Sequence, residues 1–406
     1  MVKCTDMKRR LVIFVSIPTV ERAERLKFEG VLAYAHEKTG AEWHIQPDPG
    51  GLLPSIAKDP RRFNIDGIIA YVTDEKIRKE LSSTSCPTVL IEDLNEPEHL
   101  IVGKNVLTLV CDHFAEGKAA ATHFLDLRFS NFAYVGPTRP TEWADIRLRG
   151  FANTLSANGF PCSIYPKPSG ALRDNFALEI DRLAFWLKGL PKPCALLACR
   201  DTRARQCLYA AESIGIPVPE SLAILGVDDD EITCTTVNPH LSSVSTSDRT
   251  IGYAAGRLLK QLILKRSRGR IVRAGHPHVV ARQSTDTTAI SDRIVSEVIR
   301  FAKSHLQDDL TTEALARHVC YTKASLQRRF HDTLGISLSE EIRRLRLSKA
   351  CAMLLETTKS VEAIAQECGF AGTSHLCKLM RESIGRTPFV FRKERCEAVS
   401  PTGFLE

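Results

Sequence analysis

No stretch of this chain stays apolar for the ~20 residues that a membrane-spanning helix needs, so no membrane partner is expected. The patterns G-x-G-x-x-G, G-x-x-x-x-G-K-[ST] and G-x-S-x-G are also missing, which removes the usual nucleotide-binding and hydrolase signatures. No nucleophile lies beside an evident base. No catalytic residue and no cofactor are therefore expected. The 13 cysteines are odd in number and include no CxxC pair, which argues against a zinc site or a disulfide framework and fits thiols kept reduced in a cytoplasm. The opening segment MVKCTDMKRRLVIFVSIPTV has an apolar run too short for a membrane span, and the run passes into the charged ERAER without a small-residue cleavage site. It reads as a first β-strand rather than an export signal.

What is present suits a soluble protein of two or three domains: 406 residues, 43% hydrophobic and 25% charged. The net charge of +7 is too mild to establish nucleic-acid binding by itself. Its placement is more telling, because Lys323, Arg328, Arg329, Arg343, Arg344 and Arg346 gather around one helical segment.

From Leu11 to about Thr285, short Val-, Ile- and Leu-rich runs (LVIFVSI, IDGIIAYV, TVLIED, LTLVCD, FAYVG, CALLAC, LAILGVDD) alternate with amphipathic helical stretches. Near-continuous apolar runs of this length are strands buried on both faces, and strand-helix alternation means parallel sheets with crossover helices. The length suggests two lobes, one near 1–112 plus 242–272 and the other near 113–241, with a closing strand near His278–Ala281. Residues 1–282 are thus expected to form one domain and the polar, aperiodic residues 283–291 a linker. Residues 292–395 read as an all-helical domain, and 396–406 as an irregular tail.

Two helix-turn-helix patterns lie in that helical domain, Thr311–Phe330 and Ser360–Arg381. In each, a short helix with apolar residues three to four apart (Leu315 and Val319; Ile364 and Cys368) precedes a tight turn and a second short helix. Leu326 and Phe330, or Leu376 and Met380, hold the second helix to the core. Its other face offers Lys323, Gln327 and Arg328 in the first copy, and Thr373, Ser374, Cys377 and Lys378 in the second. Mostly polar side chains on one face of such a helix suit base edges and phosphates in a major groove. Thr311 or Thr312, and Ser360, are the expected N-caps.

In doubly wound sheets ligands bind beyond the carboxyl ends of the strands. There the sequence places Glu24, Arg25, Asp112, Trp143, Arg147, Asp201 and Asp228. Carboxylates accept hydrogen bonds from vicinal hydroxyls, a guanidinium donates two in parallel, and an indole face covers apolar C–H groups, a set that suits a sugar. Any one of these residues is equally a helix N-cap or a solvated loop end. Adjacent Asp228, Asp229 and Asp230 point in alternating directions, and His276 with His278 lacks a third ligand. No metal site is expected.

Two resemblances cover nearly the whole chain. Ile364–Arg392, IAQECGFAGTSHLCKLMRESIGRTPFVFR, is similar to the closing motif of AraC/XylS-family transcription regulators. It departs from the usual pattern at Leu376, Met380 and Arg381. By position the resemblance implies base or backbone contacts from Ala324, Gln327 and Arg328 on the first recognition helix, and from Thr373, Ser374, Cys377 and Lys378 on the second. PVPESLAILGVDD and NPHLSSV resemble the effector domain of LacI/GalR regulators and periplasmic sugar-binding proteins. Together they imply an α/β, two-lobed, Rossmann-like periplasmic-binding-protein fold followed by an all-α AraC-type double helix-turn-helix domain. They also imply a cytoplasmic, homodimeric regulator, not an enzyme, which binds double-stranded operator DNA. Its effector would be a small sugar, xylose or a related monosaccharide, held between the lobes through Arg25, Asp112, Arg147, Asp201 and Asp228. RNA polymerase is a further partner if the protein is an activator.

Overall fold

The computed structural model describes residues 10–396 apart from 40–41, 73, 94–102, 168–174, 267–270, 275–276, 288, 291 and 358. His276 and the tail 397–406 fall outside these. The first lobe is a six-stranded sheet of β1 (Leu11–Ser16), β2 (Trp43–Pro47), β3 (Gly67–Tyr71), β4 (Thr88–Glu92), β5 (Val106–Cys111) and, from much later in the chain, β11 (Ile271–Ala274). Its order is β11-β5-β4-β3-β1-β2 and every pairing is parallel. The second lobe holds β6 (Phe132–Val135), β7 (Cys162–Ile164), β8 (Cys194–Ala198), β9 (Leu222–Val227), β10 (Ser242–Ser245) and β12 (His278–Val280) in the order β12-β10-β9-β8-β6-β7. Only β12 runs antiparallel to its neighbour. Strands β5 and β9 are buried at every position, as their unbroken apolar runs require.

One boundary differs from expectation. Ser242–Ser245 pairs with β9, Ser242 opposite Leu225, so β10 belongs to the second lobe and the chain recrosses only after it. Its sequence, SSVS, carries a single apolar residue, and hydroxyl groups rather than hydrophobic pattern hold it in place.

Helices cover both faces of each sheet. In the first lobe α1 (Arg22–Tyr34) and α9 (Asp248–Ile263) cover one face, and α2 (Leu53–Lys58) and α3 (Glu75–Ser82) the other. In the second, α4 (His113–Asp126) and α5 (Glu142–Ala157) oppose α6 (Phe176–Gly189) and α7 (Asp201–Ser213), and a short α8 (Glu231–Thr235) follows β9. Helices α1 and α9 touch backbone to backbone. A Cβ on Gly252 would lie 1.7 Å from the Lys27 carbonyl oxygen, and one on Gly30 would lie 2.0 Å from that of Arg249. The α4–α5 pair repeats this construction at Gly117 and Gly150.

The chain leaves the second lobe pinned rather than loose. Within 283–291, Ser284 and Thr285 are buried, Ser284 Oγ donates to the Ile224 carbonyl at 2.6 Å, and Thr285 Oγ1 donates to Ser242 Oγ at 2.7 Å. Among the described residues seven helices follow: α10 (Arg293–Ser304), α11 (Thr312–His318), α12 (Lys323–Leu334), α13 (Leu338–Glu356), α14 (Val361–Glu367), α15 (Thr373–Ile384) and α16 (Pro388–Cys396). They form two small cores, one around Leu315, Leu326 and Phe330, the other around Ile364, Leu376 and Met380, with α13 contributing to both. Thr311 and Ser360 cap α11 and α14 by accepting from the Ala314 and Ala363 amides, each at 3.1 Å.

Candidate functional site

Helices α12 and α15 are the second helices of the two helix-turn-helix units. The turns before them take the same left-handed residue, Gly369 at φ 73° in one and Cys320 at φ 58° in the other. Glycine is obligatory in the second copy, because a Cβ there would lie 2.0 Å from the Leu306 carbonyl oxygen. Cys320 holds the same conformation at a cost of about 1–2 kcal/mol. On α12, Lys323, Ala324, Gln327 and Arg328 are exposed. Arg328 makes no ion pair or hydrogen bond among the described residues, so its guanidinium stands exposed at the surface. On α15, Thr373, Ser374, Cys377 and Lys378 line one surface groove together with Arg381 and Glu382.

The basic cluster expected around the first pattern is partly used up inside the protein. Arg329 binds Asp292 at 2.6 Å, Arg346 donates to the Leu306 and Asp308 carbonyls, and Arg344 faces the second lobe. The positive charge offered to a partner is correspondingly smaller.

Between the lobes, polar groups from both sides meet. Arg22 reaches from α1 to the second lobe, donating to the Asp228 carbonyl at 2.7 Å with Asp230 3.8 Å away. Asp228 follows β9 at φ 104°, and its carboxylate lies 3.8 Å from Arg200. Burial raises that carboxyl to about 7 against the opposing pull of Arg147 and Arg200. Two guanidiniums approach the Trp143 ring, Arg147 at 5.0 Å and Arg200 at 4.7 Å from its centroid. Glu24, in the first turn of α1, is buried and its Oε2 has no hydrogen-bond partner among the described residues.

Other expected contacts are engaged elsewhere. Arg25 is exposed and among the described residues reaches only the Thr19 carbonyl, at 3.5 Å. Asp112 caps α4 through the Ala115 amide at 3.0 Å. Asp201 is buried, accepting from Ser243 Oγ at 2.5 Å and the Asp230 amide at 2.7 Å, and so shapes the Asp228–Asp230 turn from behind. Arg147 is buried and held by Glu116 and the Cys199 carbonyl.

The groups that bind Arg147 were not singled out in the sequence. Tyr71 donates to Asp93, Asp93 lies 3.2 Å from His113 Nε2 across the lobe boundary, and His113 Nδ1 lies 2.9 Å from Glu116. Lys27 and Asp248 form a second buried pair nearby at 2.6 Å. Burial opposes charge on His113, but Glu116 and Asp93 outweigh it and raise the imidazole to about 9. A raised folded-state pKa gives stability that is complete below the ordinary value of 6.5 and is lost as pH rises through 9. The lobes should therefore lose up to about 3 kcal/mol across that window, a fall of several degrees in Tm, and His113→Gln should flatten the profile. A Tm that holds steady across the window would show that His113 is not charged there.

Every cysteine among those whose side chains are described is free, and no helix among the described residues is long and apolar enough to cross a membrane.

The family model for the periplasmic binding protein-like domain matches residues 121–285, and that for a helix-turn-helix domain matches 315–394. The xylose operon regulatory protein of Escherichia coli (strain K12) is 27% identical over 82% of this chain and 85% of its own length. That of Haemophilus influenzae is 26% identical over 82% and 86%. The solved structure of the xylose-binding transcription activator xylR superposes with a TM-score of 0.59 at 25% identity, covering 95% of this chain and 98% of that one. The chain thus joins a periplasmic-binding-protein-like domain to an AraC-type helix-turn-helix domain and is homologous to the transcription regulators that share this order.

Proposed function

We propose that this chain is a sequence-specific, DNA-binding regulator of sugar utilisation, controlled by a small sugar, xylose or a related monosaccharide, held between its lobes. The observation that carries this reading is the end-to-end match to a xylose-binding transcription activator with both parts in the same order. The cleft chemistry supports it. Glu24 and Asp228 offer carboxylate oxygens to ligand hydroxyls, Arg22 and Arg200 offer donors, and Trp143 offers an apolar face. The protein acts as a cytoplasmic homodimer and not as an enzyme, and as an activator it would meet RNA polymerase. Bound sugar moves the equilibrium between open and closed lobes only by its differential affinity for the two.

Arg328→Ala should weaken operator binding by roughly 5- to 150-fold, the loss of one good contact, and leave sugar binding intact. Asp228→Ala should do the reverse. The operator is taken from a random DNA pool by repeated selection on the purified protein, and affinity is read by gel shift. Sugar binding is read by thermal unfolding against pentoses, hexoses and uronic acids, where ligand at 100 times its Kd adds about 2.7 kcal/mol. The same defect in both variants would remove this division of labour. A shift with uronic acids alone would remove the xylose assignment.

A further inference from the structure

Helix α4 begins where the chain first crosses between the lobes, and its first residue, His113, reaches back to Asp93 of the first lobe. Thirteen residues on, about 20 Å along the axis, its far end meets the DNA-binding domain. There Arg344 of α13 lies 3.1 Å from the Asp126 carboxylate and donates to the Asp126 carbonyl at 3.3 Å. Arg128, just past the helix in a left-handed conformation, lies 3.7 Å from Glu341, also on α13. Glu341 is buried and pairs with Arg344 at 2.8 Å, so four alternating charges from two domains close on one another. Beside them the Ala289 amide donates to the Leu127 carbonyl at 2.9 Å, and His123 of α4 lies 3.1 Å from Thr285 Oγ1. Helix α4 cannot slide within its lobe, because it is locked to α5 through Gly117 and Gly150.

We propose that Asp126, Arg128, Glu341 and Arg344 form an interdomain latch that fixes α13 to the end of α4, so that the second lobe and the DNA-binding domain move as one body when the cleft opens or closes. This rests on the reading of the cleft as the effector site and names how that site governs DNA. Because α13 contributes to both helix-turn-helix cores, holding it orients both recognition helices at once. Rotation of one lobe against the other then becomes rotation of the DNA-reading surface against the first lobe, with no refolding in between.

The first test needs no ligand. Hydrogen–deuterium exchange is measured on the full chain and on the Asp126→Ala, Arg344→Ala and Asp126→Glu variants. The Asp126 side chain is half exposed, so its alanine variant should fold, and unchanged protection of the first-lobe strands verifies this. Loss of the latch should raise exchange several-fold in the N-terminal half of α13 and the last turn of α4, and Asp126→Glu should restore protection. Wild-type exchange in both alanine variants would overturn the latch. The second test uses xylose and the selected operator. In wild type the sugar should change operator affinity by roughly 5- to 150-fold, and in Asp126→Ala that factor should fall toward one while xylose affinity stays the same. A variant that keeps the full factor would overturn the transmission role. Xylose binding to wild type is read separately by calorimetry. A protein that binds no xylose yet loosens α13 on loss of Asp126 would count against the sugar and for the latch.

Discussion

Arg147→Ala should lower the stability of the lobes by about 3–5 kcal/mol, a fall in Tm of roughly 10 °C. The guanidinium is buried, binds Glu116 through two nitrogens and donates a third hydrogen bond to the Cys199 carbonyl. Burial works against charge on Glu116, yet Arg147 and His113 hold its carboxyl down to about 2. Removing Arg147 leaves that buried charge with His113 alone, and it breaks the tie between α4, α5 and the end of β8. Arg147→Lys keeps the charge but cannot make the same three bonds, so it should recover only part of the loss. Replacing both partners, Arg147→Met with Glu116→Leu, should be milder than Arg147→Ala, since no orphaned charge remains. Thermal unfolding of wild type and the three variants without sugar decides the matter. If Arg147→Ala melts within a degree of wild type, the guanidinium is not committed to Glu116 in solution and becomes available as a sugar contact.

Gly252→Ala should be nearly as damaging, at about 3 kcal/mol, the upper end of the cost of overpacking. The added methyl would sit 1.7 Å from the Lys27 carbonyl oxygen and 2.6 Å from its carbon, and main chain cannot rotate away as a side chain can. Helices α1 and α9 would have to separate, and with them the buried Lys27–Asp248 pair. Gly189→Ala is the matched control. It ends α6 with open space around it and should be neutral or gain up to about 1 kcal/mol. Equal melting temperatures for the two alanine variants would mean that the helix contact is looser than its geometry.

The helical period disclosed the DNA-binding domain almost residue by residue. Leu315, Leu326, Phe330, Ile364, Leu376 and Met380 are all buried, and Thr311 and Ser360 cap as their positions suggested. The sheets were legible where strands are continuous apolar runs. They were not at β10, where serines carry the pairing. The cleft was legible as a region but not as a set of contacts. Arg22 and Arg25 lie three apart on one helix, and which of them reaches the other lobe depends on how the lobes sit, a matter of tertiary structure. Asp112 and Asp201 follow strands as ligand-binding residues do, and no local pattern foretold that one also caps a helix and the other holds a turn. Asp93 closes a run that stood out in the sequence, but its partner His113 comes from another lobe, and no local pattern links them.

The helix pair α1–α9 also sets an order of events during synthesis. The first lobe lacks α9 and β11 until the chain has emerged past residue 274, although its other elements are complete by residue 111. The second lobe lacks only β12, a three-residue edge strand, once residue 245 is out. At ordinary rates of translation, about 5–20 residues per second, the first hundred residues wait on the order of ten seconds for the helix that covers them. During that interval the face lined by Ile13, Val15, Ile69 and Val89 has no α9 against it. The part of the protein made first is thus still without its covering helix when its neighbour lacks only an edge strand, and that uncovered face is where a chaperone would find a nascent chain to hold.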